Sequence, residues 1–503
     1  MRILYIRCAA LSSRKNVEAR TWLRRLPKRR QSPRPADEQH QVMVESAVVP
    51  VTRRSATMSD LMQATITRYR QRLATKAVVQ SRGAIEASYP VLRNLLGERL
   101  WLVAVDDNTW HAAGKRLAVT LDAAGARWER YDVPPPPGGH EPLCDDDAIA
   151  LFAEQLGSSG AAAAIAVGSG TINDIVKYAC SGLGLPMACV ATAPSMNGYT
   201  SGIAAILQHG VKTTQPCEPA RAVVADLDVL SDAPMRMIQS GLGDLMSKPV
   251  SNSDWIISAK LTGSHHSAEA MQIIEDGSRL LDGVAPRLLQ RDRDAIDRLS
   301  ASLMLSGFAM SIAGSSSPAS GGEHLVSHYL DMTAHAHGLP HDFHGCQVGV
   351  GTIAAAFVYE KLLAFDVQSF DIEARVAELA PWADYLQLLR ERFGVLFDAV
   401  VPHARAAYPE PDDLRVRLEA LRAQWSEIKA EVSRTLRTHE SIREELAQAG
   451  CPVRFVDLRV EDRKRAFASI AWAKDIRSRY TVLHLAWELG RIDTWAGEAL
   501  EVL

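Results

Sequence analysis

The stretch AAAAIAVGSGTINDIVKYACSGLGLPMACVATAPSMNGYTS, residues 161–201, decides the fold of this chain. It contains an apolar run (161–168), a glycine turn, a helical pattern from Ile172 and a second apolar run, PMACVAT. Short apolar runs that alternate with helical segments are typical of buried strands in a parallel sheet. Connections between parallel strands are right-handed, which places helices on both faces of the sheet.

The same alternation continues on both sides of this stretch. LWLVAVD (100–106), RWERYDV (127–133) and RAVVAD (221–226) are further predicted strands, and residues 145–156 form a predicted helix. After about Ser231 apolar residues recur three and four apart in long segments, which predicts helices. The sequence therefore predicts an α/β domain with a doubly wound parallel sheet, followed by an all-helical domain.

Composition limits the classes of function. The chain has 503 residues, 47% hydrophobic and 23% charged, and a formal net charge of −3, so nothing attracts it globally to nucleic acid or an acidic membrane. We see no continuous apolar run of about 18 residues, the length that spans a bilayer. The seven cysteines include no CxxC pair, which argues against a disulfide framework or a thiolate zinc site. We expect a cytoplasmic protein.

The first 57 residues differ from the rest. They are poor in acids and rich in proline, serine and basic residues, including Arg24, Arg25, Lys28, Arg29 and Arg30. Arginine-rich, acid-poor segments occur as targeting peptides, but we favour a disordered extension. The expected organisation is an extension over 1–57, an α/β domain over 58–232 and a helical domain over 233–503.

Two segments that follow predicted strands are candidates for ligand binding. In VGSGTINDIVK (167–177) glycines precede a helix, whose N-terminus offers free N–H groups and a partial positive charge to a phosphate. ATAPSMNGYTS (191–201) gathers hydroxyl side chains at a strand's carboxyl end, where open α/β sheets bind ligands. A plain tight turn and a polar capping turn, respectively, are the alternative interpretations.

The helical half carries candidate metal ligands. Asp244 lies in SGLGDLMSK, where we expect the start of a helix, and His344 precedes an apolar helix. His324 and His328 are four residues apart, so they project from one face of a helix. One carboxylate and two imidazoles leave a coordination position open, as a catalytic divalent metal requires. Other histidines nearby leave the ligand set open at this point: His265, His266, His335, His337 and His341.

Five ordered motifs together resemble one family. GSGTINDIVK, TAPSMNGYTS, GLGD, SGGEHLVSH and HGCQVGVGT resemble the glycerol-1-phosphate dehydrogenases, within the wider fold of glycerol dehydrogenase, iron-containing alcohol dehydrogenases and dehydroquinate synthase. The resemblance extends from about Leu100 to Leu489. It implies a nucleotide-binding α/β domain followed by a helical metal-binding domain, with the active site in the cleft between them.

The resemblance also assigns residues. It implies metal ligation by Asp244, His324 and His344, a catalytic role for Asp244, and substrate contacts from His328 and Asn197. Asp106 is placed to meet the adenine ribose, or is a simple turn residue. The implied cofactor contacts are Gly168, Ser169, Gly170, Thr171, Ile172, Thr192, Ala193, Pro194, Ser195 and Ser201.

The implied activity is the interconversion of dihydroxyacetone phosphate and glycerol 1-phosphate, with NAD or NADP and one divalent metal (Zn, Ni or Fe). Two departures put the substrate preference in question: Asn197 and Cys346 stand where the family usually has aspartate and glutamate. Two alternatives are a lyase of the dehydroquinate synthase type, which uses NAD transiently, and a non-catalytic relative that binds metal and nucleotide. A homo-oligomer is one option for the assembly.

Overall fold

The computed structural model describes residues 58–208 and 211–503. The expected disordered extension, residues 1–57, lies outside the described residues. The strands are β1 (Ala77–Ser81), β2 (Trp101–Val105), β3 (Trp128–Asp132), β4 (Ala163–Gly168), β5 (Met187–Ala191), β6 (Ile203–Gln208), β7 (Val211–Pro216) and β8 (Ala222–Asp226).

Six of these strands form one parallel sheet in the order β1-β8-β5-β4-β2-β3. Its inner strands carry long apolar runs because both faces are covered. Along β2, Leu102 and Ala104 belong to one buried cluster, whereas Trp101 and Val103 belong to another. Successive residues of a strand point to opposite faces, so the two clusters are the two sides of a doubly wound sheet, as the sequence predicts.

Helices cover the sheet and form the rest of the described chain. In the α/β part they are α1 (Met58–Arg68), α2 (Ala84–Ala87), α3 (Tyr89–Leu96), α4 (Asp107–Thr109), α5 (Lys115–Ala123), α6 (Asp146–Ser158) and α7 (Gly170–Leu183). Those that follow β8 are α8 (Leu227–Asp232), α9 (Met235–Leu245), α10 (Lys248–Thr262), α11 (Ala268–Arg279), α12 (Ala285–Leu288), α13 (Arg293–Ala313), α14 (Gly322–His337), α15 (His344–Ala364), α16 (Ile372–Ala377), α17 (Trp382–Phe393), α18 (Phe397–Ala407), α19 (Pro411–Thr435), α20 (His439–Gln448), α21 (Arg463–Ala471), α22 (Val482–Glu488) and α23 (Ile492–Ala499).

Two local predictions were wrong. Asp244 lies at the end of α9 rather than at the start of a helix, because the glycines of SGLGD are inside the helix instead of in a turn before it. The segment 463–490, which reads as one long helical pattern, is divided into α21, a 3₁₀ turn (Ala473–Ile476) and α22. The antiparallel β6–β7 hairpin and the edge strand β1 had no counterpart in the prediction.

One helix of the described chain, α15, is long and apolar enough to meet a test for a membrane span, with a mean hydropathy of 1.2. Glycines and polar residues interrupt its sequence, so it contains no continuous apolar run of about 18 residues. In the structure 83% of its apolar window is buried. It contacts α9, α14 and α20, so its apolar surface packs inside the protein. All six cysteines of the described residues are free.

Candidate active site

A cleft of about 1700 Å³ opens at the carboxyl ends of the sheet strands. One wall comes from the loops after β2, β4 and β5, including Asp106, Gly170 and Ser195. The other comes from the helices and includes His324 and His344. Both groups of residues singled out in the sequence therefore face one cavity.

The glycine turn after β4 is built to admit a ligand. A Cβ on Gly168 would come within 2.7 Å of Ile172, so this glycine is required by packing. A Cβ on Gly170 would meet only Met196, at an ordinary 3.7 Å. Ser169 precedes α7 without capping it through its side chain, so the N–H groups of Gly170, Thr171 and neighbouring residues stay available for an anion.

The loop after β5 lies beside this turn. The Thr192 N–H donates to the Gly168 carbonyl oxygen (3.2 Å), and the Ser195 and Ser169 hydroxyls are hydrogen-bonded to each other. The Tyr199 hydroxyl donates to the Ala193 carbonyl oxygen at 2.7 Å, which fixes the course of Ala193 and Pro194. The Ser201 hydroxyl donates to the Gly198 carbonyl oxygen at 3.0 Å. Of the predicted cofactor residues, Gly168, Ala193 and Pro194 are buried and do not line the cleft. The others do line it: Ser169, Gly170, Thr171, Ile172, Thr192, Ser195 and Ser201.

Asp106 caps the N-terminus of α4. One carboxylate oxygen accepts the Thr109 N–H at 2.7 Å, and the Thr109 hydroxyl accepts the Asp106 N–H at 2.9 Å, a reciprocal cap of α4. Asp106 also lines the cleft. Because a carboxylate has two acceptor oxygens, capping leaves one free for a ligand. The two interpretations of Asp106 are therefore compatible.

The structure brings the predicted metal ligands together. His324 Nε2 lies 3.6 Å from Asp244 Oδ1. The ring centroids of His324 and His344 are 5.1 Å apart, and His328 completes the cluster, 5.7 Å from His344 and 6.2 Å from His324. Asp244 and His324 are buried, whereas His328 and His344 are partly exposed to the cleft.

Close contact between helix backbones positions two of these residues. A Cβ on Gly243 would lie 2.1 Å from the Gly345 carbonyl oxygen, and one on Gly345 would lie 1.8 Å from that of Ser240. Glycine at both positions therefore lets α9 and α15 touch along their main chains. Asp244 follows Gly243 and His344 precedes Gly345, so the contact brings their side chains to the same place. This explains the glycines of GLGD and HGCQ.

The histidines are held by second-layer hydrogen bonds. The Glu323 carboxylate lies 2.7 Å from His324 Nδ1, which orients the ring so that Nε2 faces Asp244. Ser327 Oγ lies 3.1 Å from His344 Nδ1 and donates to Gln347 Oε1 at 3.0 Å. Partners of this kind fix the ring orientation of metal-binding histidines. Nothing in the sequence had singled out Glu323 or Ser327.

Asn197 contacts the predicted carboxylate ligand directly. Its side-chain amide donates to Asp244 Oδ1 at 3.0 Å and its N–H donates to Oδ2 at 3.1 Å. The Lys248 ammonium lies 3.6 Å from the same carboxylate. Burial acts to raise the pKa of Asp244, but the Lys248 charge and His324 outweigh it and hold that pKa below its usual range. Asp244 is therefore ionised.

The pKa shifts differ among the three histidines. Burial acts to lower the pKa of His324, but its hydrogen bonds to Asp244 and Glu323 outweigh burial and raise that pKa. Burial, followed by the positive charge of Lys212, lowers the pKa of His344 to about 3. Burial and Arg477 likewise lower the pKa of His328. Both rings are therefore neutral near pH 7, the form that coordinates a metal. His328 Nδ1 is buried without a hydrogen-bond partner.

The other candidate histidines lie elsewhere or are exposed. His335 and His341 lie on the cleft wall and are exposed, and His337 is exposed at the end of α14. His265 and His266 line a different surface pocket, with Arg72. Cys346 is buried, with its Sγ 3.7 Å from the Arg236 carbonyl oxygen; burial raises the pKa of its thiol.

A tighter cluster lies outside the cleft. In the described part of the chain only Glu360, His439 and Glu440 bring three ligand-type atoms within 4.8 Å of one another. His439 Nδ1 faces Glu360 at 2.9 Å and Nε2 faces Glu440 at 3.4 Å. Each ring nitrogen of the buried His439 thus already has a carboxylate partner. The ligand atoms are farther apart in the cluster of Asp244, His324 and His344. Of the two clusters, however, only this one faces the cleft.

Known structures share this architecture. Glycerol dehydrogenase from Schizosaccharomyces pombe aligns with a TM-score of 0.54 at 18% identity and covers 85% of this chain and 91% of its own. The iron-containing alcohol dehydrogenase from Thermococcus thioreducens aligns with a TM-score of 0.55 at 14% identity, covering 85% and 99%. The family model for iron-containing alcohol dehydrogenase matches residues 79–234. The fold is thus that of the iron-containing alcohol dehydrogenases.

Proteins related in sequence identify the family within this fold. Glycerol-1-phosphate dehydrogenase [NAD(P)+] of Bacillus licheniformis is 32% identical over 294 residues, which cover 58% of this chain and 72% of the relative. The enzyme of the same name from Pyrococcus horikoshii is 39% identical over 196 residues, 39% of this chain and 56% of the relative. This chain belongs to the glycerol-1-phosphate dehydrogenase family.

Proposed function

We propose that this chain is an oxidoreductase that interconverts dihydroxyacetone phosphate and glycerol 1-phosphate with NAD(P) and a divalent metal. One observation carries the proposal: the ionised carboxylate of Asp244 and the neutral imidazoles of His328 and His344 face an open helix N-terminus across a single cleft. Membership in the family supports the same reaction. We expect a cytoplasmic enzyme, and zinc, nickel and iron are the candidate metals.

The residues of the cleft fit both the divalent metal and the dinucleotide. Asp244, His324 and His344 offer one oxygen and two nitrogens, a donor set that suits these metals and leaves a position for substrate. The loop at Gly168–Thr171 and the α7 N-terminus would hold the dinucleotide pyrophosphate. When bound, the metal supplies a Lewis acid for the ketone oxygen, and the nicotinamide supplies the hydride.

The chain's own residues bind and orient the substrate. Asn197 uses its amide N–H on Asp244, which leaves its carbonyl oxygen to accept a substrate hydroxyl. Neutral His328 keeps one N–H and one lone pair, so it can relay a proton: one ring nitrogen donates its proton to the new hydroxyl of glycerol 1-phosphate while the other takes one up from water. In the reverse direction the same nitrogen accepts that proton. The overall reaction consumes one ketone, one NAD(P)H and one proton.

Net oxidation of NADH or NADPH by dihydroxyacetone phosphate tests the proposal. Purified protein is treated with chelator, supplied in turn with Zn²⁺, Ni²⁺ or Fe²⁺, and followed by nicotinamide absorbance. We expect one nicotinamide oxidised for each ketone reduced with at least one of these metals. A lyase would recycle its NAD and give no net oxidation, and a binding protein would give no turnover. Either result would overturn the proposal.

Asn197→Asp tests the contact with Asp244. The change replaces a donated hydrogen bond by a second carboxylate, so like charges repel while no cation is bound. We expect the metal-free variant to melt about 1 °C below the wild type for a loss of about 1 kcal/mol, since the entropy of unfolding is about 2.1 cal/mol/K per residue and the chain has 503 residues. Added Zn²⁺ should then stabilise the variant more than the wild type, because a dication compensates both carboxylates.

Asn108→Asp is the matched control for this experiment. Asn108 lies on the exposed cleft rim and gains the same charge, so we expect unchanged melting and an unchanged zinc shift. An Asn197→Asp variant that melts like the wild type in both states would show that position 197 does not act on Asp244.

A further inference from the structure

Most cations on the cleft wall already have carboxylate partners. Arg116 pairs with Asp226 at 2.8 Å, and Arg236 pairs with Asp342. Their charges are therefore compensated within the protein. On the hairpin side of the cleft, next to the histidine cluster, Lys212 is also paired, but two nearby arginines, Arg477 and Arg479, are not paired with any of the described carboxylates.

Lys212 brings a positive charge to that side. It lies on β7, its side chain is 25% exposed, and it lines the cleft. Its ammonium lies 2.7 Å from Asp331 Oδ2, which engages one of its three N–H groups. The remaining N–H groups are free to bind another acceptor. Lys212, His328 and His344 line the same cleft.

Arg477 lies directly behind Lys212. One guanidinium nitrogen donates to the Lys212 carbonyl oxygen at 2.6 Å, so the arginine also supports the hairpin. Within the described residues no carboxylate lies within ion-pair distance of Arg477, and burial lowers its pKa. The neighbouring Arg479 adds a second cation, whose guanidinium donates to the Ser320 carbonyl oxygen at 2.6 Å and to the Ser316 hydroxyl.

The charges on this side do not balance. Asp331 compensates the charge of Lys212, but Arg477 and Arg479 are partly buried without ion-pair partners in the part of the chain that the structure describes. The acids nearest to Arg479 are Glu323 and Asp254, and their carboxylates already accept backbone N–H groups. A buried cation without an anion costs free energy. A bound anion with several acceptor oxygens would compensate it, and a phosphate group bears the required charge.

We propose that Lys212 binds the phosphate group of the substrate and that Arg477 positions Lys212 and adds charge from behind. This inference rests on the proposed function and deepens it, since it identifies the end of the cleft that recognises a phosphorylated ketone. The cofactor's phosphates have their own place at the α7 N-terminus. A substrate phosphate on Lys212 would hold the rest of a three-carbon ketone beside His328 and the metal ligands.

Comparing two substrates tests this role. We expect Lys212→Met to lower kcat/KM for dihydroxyacetone phosphate by about 30-fold or more, mainly through KM, because a charge-assisted hydrogen bond is lost. The kcat/KM for unphosphorylated dihydroxyacetone should stay within about twofold, since it makes no contact there. Lys361→Met is the matched control: Lys361 also pairs with a carboxylate at 2.7 Å, but at the surface, and both substrates should be unaffected.

An equal loss on both substrates, or no loss on the phosphate ester, would overturn the inference. Arg477→Lys, which keeps the charge, should retain more discrimination between the two substrates than Arg477→Met. If the wild type turns over neither substrate, the proposed function fails. In that case titration calorimetry with inorganic phosphate tests the Lys212 site separately from the reaction. The wild type should bind phosphate, and Lys212→Met should bind it at least about tenfold more weakly.

Discussion

Alanine at Asp244, His324 or His344 is expected to remove the divalent metal and to reduce turnover of dihydroxyacetone phosphate below detection. Loss of an outer partner of a metal ligand costs about 10–100-fold in affinity or activity, and loss of the ligand itself should cost more. The three side chains converge on one point of the cleft, with two of them buried. Metal content of the purified variants and kcat/KM give the measurement.

His335→Ala and His341→Ala are the controls for these variants. Both histidines line the same cleft but are exposed, so we expect them to keep the metal and most of the activity. If either control loses the metal while His344→Ala keeps it, the ligand set is wrong. Circular dichroism of each variant separates loss of metal from loss of fold.

Gly170→Val is expected to abolish detectable binding of NAD(P)H while leaving the metal content normal. Gly170 is the first residue of α7, and an added Cβ meets only Met196 at 3.7 Å. A branched side chain can therefore be accommodated by the fold, but it covers the N–H groups that a pyrophosphate would approach. Calorimetric titration with NADH and NADPH measures the effect.

A control for this variant must carry the same residue in a similar setting. Gly157 lies in α6, and a Cβ added there would meet nothing within 4 Å, so Gly157→Val tests valine in a helix away from the cleft. We expect its nicotinamide affinity to equal that of the wild type. Unchanged affinity in Gly170→Val would remove the loop from the cofactor site. Gly168 is unsuitable for this purpose because its Cβ would collide with Ile172.

The sheet could be predicted because its physical signal is local. Inner strands of a parallel sheet are apolar throughout, and β2, β4, β5 and β8 lie within about two residues of the predicted runs. The β6–β7 hairpin has a weaker signal, since Val211–Pro216 mixes polar and apolar residues, although Ile203–Gln208 is apolar except for Gln208. Without the hairpin, the position of Lys212 beside the histidine cluster could not be predicted.

The metal-binding half shows a different limit. His324 and His328 could be paired from their spacing, since one helix carries both. The convergence of Asp244 with His344 depends on two helices that touch at Gly243 and Gly345, which are distant in sequence. Glu323 was overlooked although it adjoins His324, because its role depends on the ring that it orients. In this half the sequence predicted the helices that carry the histidines, but not the contacts between helices that bring the ligands together.

Reduction of NAD⁺ by glycerol 1-phosphate, before and after metal is restored to chelator-treated protein, tests most directly whether this chain is a metal-dependent polyol phosphate dehydrogenase. We expect no rate in the metal-free protein, a rate that returns with Zn²⁺, Ni²⁺ or Fe²⁺, and no recovery in His344→Ala. A rate that is equally high without metal, or no rate with any of these metals and either nicotinamide, would contradict this assignment.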